Sequence, residues 1–180
     1  MKYKKEIEKI RSGAYTRAQL SKIRSNAEIK LHKGDVDAGA VIDEIDRTSP
    51  TDKTMVFMGF CPGADFDNRQ DIAWKDKGIC TFIYYDSAIQ VERFSNIWPG
   101  DLIILKKRHV IGKTMKLYGH GRVTGVQYNQ DNRRFLEMNW SSQNEIIEVP
   151  LMACNATVDI RTIEQVEADM PDAFFKWLEV

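Results

Sequence analysis

Trp98-Pro99-Gly100-Asp101-Leu102-Ile103-Ile104-Leu105, followed after a basic loop by Tyr118-Gly119-His120-Gly121-Arg122-Val123-Thr124-Gly125, is the stretch on which the fold turns. Pro-Gly-Asp is turn chemistry: proline presets φ and glycine accepts conformations closed to other residues. The short apolar run behind it reads as a buried strand. Glycines at 119, 121 and 125 predict a second strand, Lys116 to Val126, that bends or bulges where side chains would obstruct.

Further β-rich runs lie outward from this pair: Met55 to Phe60, ended by Cys61-Pro62-Gly63, then Ile79 to Tyr85, Arg134 to Trp140 and Ile146 to Val149. Five or six short strands at spacings of roughly ten to twenty residues favour a closed or half-closed barrel over a layered α/β sheet. Asp71 to Gly78 reads as a polar loop. Helical periods flank the strands. Tyr3, Ile7 and Ile10 mark a helix over 3–11 that stops at Gly13, and Thr16 caps a second whose apolar positions Leu20, Ile23, Ala27 and Leu31 lead to Gly34. A third spans 36–47, with Thr48 to Asp52 as a linker. The tail from Thr162 to Leu178 is helical again, broken at Met170-Pro171, and its Phe174, Phe175, Trp177 and Leu178 dock on the barrel. The fold class is α+β: residues 1–50 form a basic N-terminal helical extension, and 52–180 a small antiparallel β-barrel with a C-terminal helical segment.

With 180 residues, 43% hydrophobic and 29% charged, the composition is that of a globular soluble protein, neither disordered nor membrane-embedded. No apolar run reaches the roughly 18 residues of a bilayer span. The charged, amphipathic start is unlike a signal peptide. Cys61, Cys80 and Cys154 are widely spaced with no CxxC, as core thiols of a reducing, cytoplasmic compartment would be.

Net charge is zero, yet its distribution is uneven. Lys2 to Lys33 holds ten basic residues against three acidic ones. Between Asp101 and Asp131 there is no carboxylate, whereas Lys106, Lys107, Arg108, Lys113, Lys116 and Arg122 all fall there, with His109 and His120. Such a stretch builds a local positive potential that attracts phosphates, unless acidic residues from elsewhere, such as Glu164, Glu167 and Asp169, pair with it.

The Gly-Asp turn opening an apolar strand, and the glycine-bearing strand after the basic loop, resemble the PUA-like superfamily, especially its EVE and YTH-like branches. The resemblance covers just over half the chain. It implies a non-catalytic nucleic-acid-binding module whose barrel mouth takes a base out of the stack between aromatic faces, often to recognise a modified base. Trp74 falls near where the family places a pocket aromatic, and Tyr84, Tyr85, Trp98 and Trp140 are further candidates for the walls. Lys106, Lys107, Arg108, Lys116 and Arg122 are the candidate phosphate contacts. On this reading Trp74→Ala weakens oligonucleotide binding without unfolding the domain.

Other chemistries are less well supplied. His120 between two glycines is a candidate acid or base for a nucleic-acid or nucleotide hydrolase like the related ASCH domains, but no HxH or HxxxH pair and no neighbouring carboxylate accompany it. Nucleophile-elbow, P-loop and dinucleotide motifs are absent, and no cofactor is indicated. Asp65, Asp67, Asp71 and Asp76 read as a solvated loop before a Mg²⁺ site. The N-terminal helices have the outline of a helix-turn-helix, though packing on the barrel or a homodimer contact explains them more simply.

Overall fold

Lys4–Arg11 forms α1 with Ile7 and Ile10 buried on one stripe, and Arg17–His32 forms α2. Thr16 starts α2 with a capping box: its side chain accepts from the Gln19 amide while Gln19 Oε1 accepts from the Thr16 amide at 2.8 Å. Helix α3 is Ala38–Arg47, two residues shorter at its start than the sequence indicates. The three pack around Ile10, Leu20, Ala27, Val41 and Ile45. Into the same cluster comes Trp98, 0% exposed, from beyond the linker, so the helices and the sheet share a core.

This computed structural model describes residues 2–63, 66–82 and 84–179. Among them the chain is a mixed α+β fold with seven helices and one seven-stranded sheet. Strand β1 (Thr54–Gly59) leads through α4 (Asp71–Lys77), β2 (Ile79–Thr81) and α5 (Ala88–Ser95) to β3 (Leu102–Arg108). Then follow β4 (Thr114–Tyr128), β5 (Arg134–Trp140), β6 (Ile147–Pro150), β7 (Val158–Thr162), α6 (Ile163–Asp169) and α7 (Asp172–Leu178). The pairing path runs β2-β5-β4-β3-β1-β7, with β6 continuing along the β4 edge that also carries β5, and it does not close. All pairs are antiparallel except β1 with β3, where Met55 lies opposite Leu102 and Gly59 opposite Lys106.

Alternation along β1 and β3 explains their apolar composition. Val56, Met58, Ile103 and Leu105 face the core beneath α4 and α5, while Met55, Phe57 and Ile104 face the core under α6 and α7. Strand β4 needs its glycines. Gly119 has φ 141, and a Cβ at Gly121 would lie 2.6 Å from the Trp140 ring. The register shifts between Ile104 and Lys106 and again between Val123 and Gly125, so β4 bends as it passes from β6 to β5.

Two stretches differ from the sequence reading. The loop expected at 71–78 is helix α4, with Asp71 in its first turn, Lys75 and Lys77 in its last, and Gly78 at φ 64 as a left-handed C-cap. The strand expected over 79–85 is only β2; Phe82 leaves the ladder to stack on Phe94 of α5 with centroids 5.4 Å apart, and Ile83 lies outside the described residues. At the C-terminal end of α5, the buried Arg134 guanidinium donates to Phe94 O (2.6 Å) and Ile97 O. Burial pushes its pKa down to about 10, with Asp46 opposing the shift. No helix among the described residues is long and apolar enough to cross a membrane.

Candidate nucleic-acid interface

The Gly-Asp turn acts first as a fastening. Asp101, 0% exposed, accepts hydrogen bonds from Trp98 N (2.7 Å), Arg17 Nη2 (2.6 Å), Thr54 N and Thr54 Oγ1 (both 3.1 Å). One carboxylate thereby ties α2, β1 and the turn together. Gly100 adopts φ 93, a left-handed conformation that favours glycine, and a Cβ there would displace the ends of the Ser49 and Lys53 side chains. Trp98 is therefore interior, and its indole face is closed to a base in this conformation.

Because β1 and β3 are parallel, their C-terminal ends finish side by side, and the loop entering β7 crosses in front of them. Between these ends lies a cleft of about 580 Å³. Its wall includes Tyr84, whose hydroxyl is 3.5 Å from Cys61 O, and its rim includes Lys107, Arg108, His109 and Ile111. The floor includes Asn155, Ala156 and Thr157.

Consecutive strand residues point to opposite faces, and this divides the basic triplet. Lys106 is 4% exposed and its ammonium turns inward, donating to Cys154 O, to Ala156 O (2.6 Å) and to Asp159 Oδ2 (3.0 Å). Burial lowers its pKa, and Asp159 opposes that shift. Asp159 also accepts from Ala156 N (3.0 Å) and Arg93 Nη1 (3.3 Å), so Lys106 fastens the cleft floor instead of offering a phosphate contact. Lys107 takes the other face, with its ammonium 3.7 Å from the Phe66 ring centroid. Arg108 is exposed at the strand end. Lys116 stands directly across from Lys107 in the ladder, and Glu148 directly across from Lys116.

The remaining candidates are dispersed. Trp74, placed by sequence reasoning on a polar loop, is 2% exposed on the inner side of α4, and its Nε1 donates to Thr81 Oγ1 at 3.0 Å. Trp140 Nε1 donates to Trp74 O (3.1 Å) and Ile79 O (3.3 Å), joining β5 to α4 and β2. Tyr85 is 38% exposed but lines a different groove, beneath the Arg133 guanidinium at 4.6 Å. Arg122 donates to Gly100 O (2.8 Å) and pairs with Leu102, at the far end of β3 from Arg108, about 20 Å away along the strand. The sequence order had grouped these residues; the fold brings Tyr84, Lys106, Lys107 and Arg108 to one cleft, with the Lys106 ammonium turned into its floor, and places Trp74, Trp98, Trp140, Tyr85 and Arg122 away from it.

His120 is also interior. At 6% exposure its ring meets Trp177 of α7 edge-on at 4.8 Å, and burial lowers its pKa. Its Nε2 has no hydrogen-bond partner among the described residues. Asp71 is buried in a two-bond ion pair with Arg69 (2.7 and 2.6 Å), and Asp65 lies outside the described residues. Among the described residues no three His, Cys, Asp or Glu side chains gather as a ligand set.

Sequence reasoning missed a second group beside the cleft. Arg69 lies 5.4 to 5.6 Å from the centroids of Phe60, Phe66 and Tyr118, and Phe60 and Tyr118 meet edge-on at 4.9 Å. The signal was slight: Phe60, Phe66 and Arg69 are spread around Asp65 and Asp67 in a stretch read as a solvated loop. No protein-family model matches this chain, and a search of curated proteins finds no match either.

Proposed function

We propose that the chain is a PUA-like nucleic-acid-binding module whose sheet forms the half-closed barrel of that group, and that the cleft between the ends of β1, β3 and β7 receives an extruded base. The observation that carries this reading is the meeting of Tyr84 with Lys107, Arg108 and His109 at one cavity. A volume of about 580 Å³ is within the range of about 300 to 1,000 Å³ of small-ligand sites, and a base held there would have an aromatic face to stack on and backbone groups of 155–157 to address its edge. Lys107, Arg108 and Lys116 then attract the phosphates flanking that base. Lys106 contributes indirectly, by keeping the floor loop in place through Asp159.

Fluorescence anisotropy with single-stranded, duplex and base-modified oligonucleotides over a salt series tests this. Binding is expected to weaken with salt. Lys107→Ala with Arg108→Ala removes two phosphate contacts and flattens the log–log slope by about 1.8 units, or about a twelvefold difference between roughly 50 and 200 mM salt. Arg122→Ala, at the other end of β3, leaves the slope at this site unchanged. An absence of salt-dependent binding to every oligonucleotide overturns the reading.

A further inference from the structure

The β3–β4 hairpin ends in Val110-Ile111-Gly112-Lys113, and its tip is a fixed turn. Lys113 N and Thr114 N donate to Val110 O at 3.0 and 3.1 Å, and His109 N donates to Thr114 O at 3.0 Å. Gly112, at φ 70, makes the reversal, and Val110 N donates to Thr114 Oγ1 at 3.3 Å. On this ordered tip Ile111 is 93% exposed and Val110 41%. Among the described residues Ile111 is the most exposed large apolar side chain, ahead of Val36 at 81%.

Its surroundings point to a polyanion. Lys107, Arg108, Lys113 and Lys116 flank the tip, with His109 beside them. Glu148, opposite Lys116 in the ladder, accepts from Thr114 Oγ1 at 2.7 Å and lies 3.6 Å from His109 Nε2. The same Ile111 lines the mouth of the cleft that holds Tyr84. An aliphatic side chain on a basic, rigid projection, next to a base-sized cavity, is the arrangement with which proteins enter a base stack and unstack one step.

We infer that the ligand is a duplex, and that Ile111 inserts into its base stack and holds open the step whose base lodges in the cleft. This rests on the reading of the cleft as a base site and deepens it by naming the ligand class. A single strand gives such a wedge nothing to separate, whereas in a duplex it fills the gap that the departing base leaves. A lipid surface is the less favoured counterpart, because one isoleucine and one valine offer little apolar area and a membrane anchor would have no use for the cavity behind them.

The test uses short DNA and RNA duplexes carrying a central mismatched 2-aminopurine, whose fluorescence rises on unstacking, and the matching single strands. Wild-type protein is expected to bind the duplex with salt dependence and raise the fluorescence. Ile111→Ser leaves every cation in place, so it should keep the salt slope yet lose most of the rise, with Ile111→Leu restoring it. A full rise with Ile111→Ser overturns the wedge. Salt-dependent binding of single strands but not duplex also overturns it while leaving the base-binding reading intact. If neither form binds, the base-binding reading falls and the wedge falls with it; sedimentation with phosphatidylserine vesicles that Ile111→Ser abolishes would then assign the tip to lipid.

Discussion

Replacing Asp101 by alanine measures how far the Gly-Asp turn holds the molecule together. The carboxylate is fully buried and accepts four hydrogen bonds, one of them from Arg17, whose side chain is 13% exposed. Removing one partner of a buried ion pair leaves the other charge uncompensated, at about 3 to 5 kcal/mol. The Trp98 and Thr54 amides also lose their acceptor, at about 1 to 3 kcal/mol each if they stay dry. These losses share one small volume that water can enter after the substitution, so they do not add. A total near 4 kcal/mol is expected for Asp101→Ala, with about 2 kcal/mol for Asp101→Asn, which keeps one acceptor oxygen. Urea unfolding followed by tryptophan fluorescence reads this directly, since Trp98 adjoins the lost bonds. With an m-value of about 2 kcal/mol per molar, the alanine variant should unfold about 2 M earlier. Because Asp101 joins α2 to β1, helices and sheet should lose structure in one transition. A loss below about 1 kcal/mol would show that the carboxylate network does not fasten the fold.

Trp74→Ala should act on stability before binding: truncating a tryptophan at 2% exposure costs about 3 to 5 kcal/mol, read by thermal unfolding, and a variant of undiminished stability would contradict its core placement. His120 makes a pH-dependent contribution whose sign follows from burial. Its folded pKa lies below the ordinary 6.5, so the unfolded chain takes up the proton first, and the contribution is fully present above pH 6.5 and lost as pH falls through the folded value. Unfolding midpoints between pH 7.5 and 5.5 should therefore fall less steeply for His120→Asn than for wild type, and equal slopes would refute the argument.

Much of the architecture was legible because local signals agreed with the global arrangement. Thr16 and Thr162 both cap helices as their positions before apolar periods require, and the run 102–105 is buried on both faces of the sheet. Helix α4 escaped notice because its seven residues show one apolar anchor, Trp74, among charges, and Ile72 points outward at 63% exposure. Strand β7 follows a segment with Met152 and Ala153 at positive φ (51 and 55), a reversal that no glycine announced. The site was partly legible. Tyr84 and the 106–109 run do meet, but Trp74, chosen for being conspicuous in polar company, is a packing anchor, since a large indole in a small fold is drawn inward unless something holds it out. Nothing linear separates Trp74 from a pocket aromatic. Its neighbour in space, Thr81, is what satisfies its ring nitrogen.

The zero net charge hides a separation that only the fold makes. Several basic residues are neutralised internally: Arg17 by Asp101, Arg24 by Asp46 and Lys106 by Asp159, each through a carboxylate that is itself buried. Those pairs cancel in the sum and project little field, because opposite charges in contact look like a dipole from a distance. The β3–β4 hairpin instead carries Lys107, Arg108, Lys113 and Lys116, with Glu148 opposite Lys116 in the ladder, and Lys107 and Arg108 line the cleft. Strand alternation performs this sorting. Had β3 been shifted by one residue, Lys106 would stand at the rim and Lys107 would be buried against Asp159, reversing which of two adjacent lysines builds the floor and which one faces a phosphate.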